Sequence, residues 1–209
     1  MLYYMKTWWR WLRRCGFSRG FGVQSPSAYS FIRYVVNEHY PYYAYAELKD
    51  RLDLLSRREH KFGRLLLRLA NFWQPDVRYT DAYKYLPYLY AGCHRSEVKD
   101  LVDFPVDAAK INGCGKTDAA AKTDFSSQSS LVILDLSTYD ISRIQTEILP
   151  LCTPKTMLVL LNMQNRKKVV EEWLKIQNSE FTGITYDLYY AGIIFFDKSI
   201  FKQHYEVNF

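Results

Sequence analysis

Hydrophobic positions recur along this chain with two periods, and the changes of period mark its elements. Ser25 followed by Pro26 is a helix start with proline at the first helical position. Ala28, Phe31, Ile32, Val35 and Val36 then fall on one face at helical spacing, and Pro41 breaks the run. A second helix carries Tyr45, Leu48, Leu52 and Leu55 inward, with a Glu47–Arg51 pair outward. Phe62, Leu65, Leu66, Leu69 and Trp73 mark a third helix, stopped by Pro75, which also disfavours helical geometry at Gln74. A short strand over Asp76–Asp81 follows, then a loop and another helix ending near Cys93. Glu97–Phe104 reads as a strand, and Asp107–Ser130, rich in Ala, Lys, Asp, Gly and Ser, as surface loop.

The C-terminal half is more regular. Leu131–Leu136 and Thr156–Asn162 are short apolar runs of the kind found in buried parallel strands. Ile141, Ile144 and Ile148 mark a helix ended by Pro150, and Val169, Val170, Trp173 and Leu174 mark the helix after the second run. The stretch ITYDLYYAGIIFFDK contains two strands, with Ala191-Gly192 between or near them. A connection that short permits only a hairpin, because parallel strands need a long crossover. The predicted fold is therefore a three-layer, Rossmann-like α/β domain whose sheet is mostly parallel and ends in a C-terminal antiparallel hairpin. Residues 1–60 form an N-terminal helical extension, and residues 61–209 the α/β domain.

Composition adds less. The formal charge of +6 is modest, and basic residues beyond the N-terminus are interleaved with acids, so specific nucleic-acid binding is not expected. Cys15, Cys93, Cys114 and Cys152 are far apart with no zinc-type spacing, which reads as reduced thiols in a cytoplasmic protein. No apolar run approaches the roughly 20 residues of a spanning helix. The first twenty residues combine Trp8, Trp9 and Trp11 with Lys6, Arg10, Arg13, Arg14 and Arg19. Such a segment suits self-association or a protein partner, with contact at a membrane surface as the alternative.

Four stretches carry a family resemblance. FGVQSPSAYSFIRYVVNEHYPYYAY, KFGRLLLRLANFWQP, TMLVLLNMQNRKKVVEEW and DLYYAGIIFFDKSIFKQHYEVNF resemble a group of class I S-adenosylmethionine-dependent methyltransferases of Bacteroidetes-type bacteria. That group usually has histidines where Phe21 and Gln24 stand here. The resemblance implies a cofactor site at the strand ends. Its residues would be Thr80, Asp81 and Ala82 after the first strand, Asp103 after the second for the ribose, and Asp135 after the fourth.

The departures fall where chemistry would be. Thr80 replaces an acid, Ala82 a glycine, and the loop is about two residues shorter than the family's. Leu136 and Ser137 replace a glycine and a histidine. Leu161 and Asn162 replace paired aspartates, so Asn162 is only a weak remnant of a metal site, and no metal is expected. A Cβ at position 82 obstructs both the turn and the approach of the cofactor. The missing acid removes a charge-assisted partner worth about 1.5–3 kcal/mol. Two readings result: a non-catalytic descendant that keeps the fold as a binding or structural module, which this balance favours, and an active methyltransferase acting on an unidentified small molecule or macromolecule through Asp81, Asp103 and Asp135.

Other features carry less. Ile111–Asp118 contains Gly-Lys-Thr, but it lacks the earlier glycine and preceding strand of a phosphate loop. His39, His60, His94 and His204 have no ligand or triad spacing. Tyr83, Tyr85, Tyr88 and Tyr90 read either as helix face and core or as the lining of a vacated cleft.

Overall fold

The computed structural model describes residues 23–104, 128–163 and 167–209. The Trp/Arg segment of residues 1–20, the Gly-Lys-Thr turn and most of the 107–130 stretch lie outside the described residues.

Helix α1 spans Pro26–Phe31 and continues as one wider turn over Ile32–Val36. Ser25 caps it, accepting the Ala28 N–H at 3.4 Å. All five of its periodic apolar residues are buried. Helix α2, Ala44–Arg51, buries Tyr45 and Leu48 and carries the exposed Glu47–Arg51 pair at 3.2 Å. Helix α3, Arg57–Trp73, opens with a reciprocal capping box between Ser56 and Glu59. It ends at Gln74, in the left-handed region at φ 47°, where Pro75 forbids another turn.

Strand β1 is Val77–Thr80. A tight turn over Tyr83–Tyr85 leads into helix α4, Leu86–Gly92. Strands β2, Glu97–Asp100, and β3, Ser130–Asp135, come next. An irregular helical run over residues 141–151 separates β3 from strand β4, Thr156–Leu161. Helix α5, Lys167–Asn178, precedes strands β5, Ile184–Asp187, β6, Ala191–Phe195, and β7, Gln203–Glu206.

Among the described residues these strands form one seven-stranded sheet in the order β2-β1-β3-β4-β6-β5-β7. β1 pairs in parallel with β2 and β3, β3 with β4, and β5 with β7. β6 runs antiparallel to both neighbours, as the hairpin requires. Alternation along the strands sorts the core into two layers. Leu131, Ile133, Met157 and Val159 face α1 and α3. Val132, Leu134, Leu158 and Leu160 face Ile144, Ile148, Trp173 and Ile176. This is the three-layer, Rossmann-like α/β fold that the pattern predicts.

Several details differ from expectation. β2 stops at Asp100 instead of running to Phe104, because Leu101–Phe104 turns back and buries Phe104 against Tyr79 at 5.1 Å between ring centroids. The 141–151 run changes pitch twice, and Pro150 lies inside its last turn, where a missing N–H costs nothing. On α5, Trp173 and Ile176 point inward while Val170 and Leu174 are exposed, so the buried stripe is rotated from the predicted one. Ala191-Gly192 lies within β6, not in the turn; a Cβ on Gly192 would come within 2.6 Å of Met163 Sδ. β7 was not expected as a strand.

Candidate functional site

In an open parallel sheet, ligands bind beyond the carboxyl ends of the strands. Here β1, β2, β3 and β4 end at Thr80, Asp100, Asp135 and Leu161. Thr80 and Asp100 are register partners, so the acid beside the first loop is Asp100. Asp103, three residues further on, is exposed and follows the strand end. The strand-end residue is therefore Asp100, with Asp103 beyond it. Asp100 was hidden in the sequence because the strand looked longer than it is.

The loop after β1 folds back onto its own cleft. Thr80, fully buried, accepts the Ala82 N–H with its hydroxyl at 3.0 Å. That closes the turn with Ala82 at φ −91°. The left-handed conformation expected of a glycine turn is absent at Ala82, so the strain argued from its Cβ does not arise. The loop passes directly into the Tyr83–Tyr85 turn instead. The cost to a ligand lies elsewhere: a backbone donor is used internally, and buried Ala82 fills space.

The next two side chains, Tyr83 and Lys84, occupy carboxylates. The Tyr83 hydroxyl donates to Asp100 Oδ2. Lys84 Nζ stands 2.8 Å from Glu59 Oε1 and 3.7 Å from Asp135 Oδ2. Tyr85 is fully buried, and its hydroxyl has no hydrogen-bond partner among the described residues. Burial, with Glu59 and Asp135 nearby, pushes its phenol above the ordinary tyrosine range.

Asp135 is the best-tied acid. Its Oδ1 accepts from Asn162 Nδ2 at 2.6 Å, from the Ser137 N–H at 2.9 Å and from the Ser137 hydroxyl at 2.7 Å. Burial acts to raise its pKa, but the Asn162 and Ser137 hydrogen bonds and Lys84 outweigh it, and the pKa is lowered. Asn162 makes this contact from φ 58°, a conformation asparagine tolerates better than most residues. Asn162 therefore acts as a donor to Asp135, and Ser137 serves the same carboxylate. Among the described residues no group of three or more His, Cys, Asp or Glu is placed to hold a metal.

Asp81 is different. Its Oδ2 accepts from the Thr138 hydroxyl at 3.0 Å, and its Oδ1 is buried with no partner. Among the described residues it is the one strand-end acid with a buried oxygen lacking a donor. The structure thus brings Thr80, Asp81, Ala82, Asp135 and Asn162 together, and adds Glu59, Tyr83, Lys84 and Asp100. Sequence reasoning missed Lys84 and Glu59. Their signal was a lysine inside the altered loop and an acid one turn into α3.

The strand order, the reversed β6 and the carboxylates at the strand ends define a methyltransferase-like α/β fold. No family model and no curated protein matches the chain. Among solved structures it is similar to the crystal structure of a methyltransferase from Geobacter sulfurreducens, at 10% identity and a TM-score of 0.42, over 77% of this chain and 93% of that one. The fold assignment rests on topology, not on this likeness.

Proposed function

We propose that this chain is a non-catalytic, methyltransferase-like module whose S-adenosylmethionine site has been closed by its own loop. One observation carries the reading. Asp100 and Asp135, two acids at the strand ends, are already engaged by Tyr83 and Lys84 of the loop between β1 and α4. A cofactor entering the cleft must displace a lysine bridging two carboxylates and a tyrosine hydroxyl. It must also do without the Ala82 N–H held by Thr80. Each contact that must be broken or forgone weakens cofactor binding. In this arrangement the residues at the strand ends do not fit the cofactor. The protein is read as a fold retained for binding or structure.

One observation favours the active reading. The bare Oδ1 of Asp81 could take a donor such as the cofactor's ammonium. Calorimetric titration with S-adenosylmethionine and S-adenosylhomocysteine separates the two readings. We expect no saturable heat at millimolar concentration. Low-micromolar binding that disappears in Asp81→Ala and Asp135→Ala would restore the enzyme reading.

A further inference from the structure

A second concavity lies beside the first half of α3 and uses none of the strand-end acids. It has a volume of about 940 Å³ and lies between α3 and the end of α2 with its following turn. That size falls within the range of small-molecule sites. Arg57, His60, Lys61 and Arg64 line one wall, at the spacing of a single helix face. Lys49, Asp50 and Asp53 line the other.

The charge there is unbalanced. Four cationic side chains meet two carboxylates. Among the described residues, none of Lys49, Arg57, Lys61 and Arg64 forms an ion pair within 4 Å. The nearest acid on α3, Glu59, is already used by Lys84 and Ser56. Arg64 is held in place by packing over the Tyr45 ring at 5.1 Å, yet its Nε is buried without a hydrogen-bond partner. Lys61 is exposed and packs over the Phe209 ring at 4.5 Å. The His60 ring is fixed by a 2.8 Å bond between Nδ1 and the Tyr88 hydroxyl. An excess of positive charge in a concavity of this size favours an anionic occupant.

We propose that this pocket binds a small phosphoryl-bearing molecule, with its anionic group on Arg57, Lys61 and Arg64 and its hydroxyl or amino groups on Asp50 and Asp53. Cationic side chains on successive helical turns, with Lys49 opposite, suit a multi-oxygen tetrahedral anion better than a planar carboxylate. Two acids on the far wall disfavour a long polyanion, which would lay phosphates across both walls. The site is independent of the strand-end cleft, and its test does not involve S-adenosylmethionine.

The probe is inorganic pyrophosphate, titrated into the full chain at physiological salt by calorimetry and by NMR of the arginine Nε–Hε signals. We expect one-site saturation and movement of the Arg64 signal. Arg57→Gln with Lys61→Gln removes two exposed charges while keeping good helix formers. That double variant should weaken binding about tenfold or more, whereas Lys167→Gln with Lys175→Gln on α5 should leave it unchanged. Absence of saturation, equal weakening by both pairs, equal affinity for citrate, or binding confined to heparin or duplex DNA would each overturn the proposal.

Discussion

Two buried arginines show how the same residue can serve opposite ends. Arg68 is buried and fully employed. Its Nε donates to the Val35 carbonyl at 2.6 Å, its Nη2 to the Val36 carbonyl at 3.0 Å and its Nη1 to the Tyr45 hydroxyl at 3.1 Å. It thereby satisfies carbonyls at the end of the α1 run, where a cation also complements the helix dipole. Arg78 on β1 is fully buried, donates from Nη2 to the Ser96 carbonyl at 2.8 Å and lies under the Tyr90 ring at 4.6 Å. Among the described residues its Nε and Nη1 have no hydrogen-bond partner, and burial lowers its pKa. Replacing Arg68 with Met should therefore cost about 3 kcal/mol, since it strands buried carbonyls. Replacing Arg78 with Met should leave stability unchanged or raise it by up to about 2 kcal/mol, because an uncompensated charge is removed. Urea unfolding of the two variants gives the comparison, and an equal loss in both would show that Arg78 has a partner of equal worth.

At the scale of elements, the contact between α3 and α4 sets how closely the loop after β1 is held over the cleft. Two glycines permit it. A Cβ on Gly63 would come within 2.3 Å of the Tyr88 ring, and one on Gly92 within 2.3 Å of the Leu67 carbonyl oxygen. Alanine in a helix ordinarily gains about 1 kcal/mol over glycine. At Gly92 the obstacle is backbone, which cannot swing aside, so Gly92→Ala should instead cost about 2 kcal/mol. A shift in thermal or urea midpoint measures it, and a stabilised Gly92→Ala would mean that α3 and α4 sit further apart. The elements themselves were largely legible. Period and proline punctuation located α1, α3, β1, β3, β4 and the β5–β6 hairpin, because each has an apolar face that nothing else in the chain imitates. β7 was not legible, since its exposed and half-buried residues alternate without a strong apolar signal. β2 was read too long for a related reason: Leu101 and Phe104 are apolar and buried, but they return to the core through a turn rather than a strand.

The site was legible at the scale of the whole molecule only in part. Sequence order placed Thr80, Asp81 and Ala82 at the end of the first strand. It could not show that Lys84 crosses to Glu59 and Asp135, because that triangle joins three elements far apart in the chain. The triangle has a pH signature. Glu59 is lowered to about 2, first by the hydrogen bond from Lys84 and then by those from Ser56. Asp135 is also lowered, its hydrogen bonds and Lys84 outweighing burial. For Lys84, burial acts downward, but Glu59 and Asp135 outweigh it and raise the pKa. A depressed carboxylate contributes stability that is complete above its unfolded pKa and is lost as pH falls toward the folded value. A raised lysine contributes stability that is complete below its unfolded pKa and is lost above it. The two acids therefore place a falling limb below about pH 4.5, and the lysine places another above about pH 10.5, with a plateau between them. Lys84→Met removes the largest cause of the Glu59 shift while Ser137 and Asn162 still hold Asp135. Its urea midpoint should fall less steeply between about pH 4.5 and pH 2 than that of the unaltered chain. Superimposable acid limbs would mean that Lys84 does not bridge the two carboxylates in solution, and the closed-cleft reading would lose its main support.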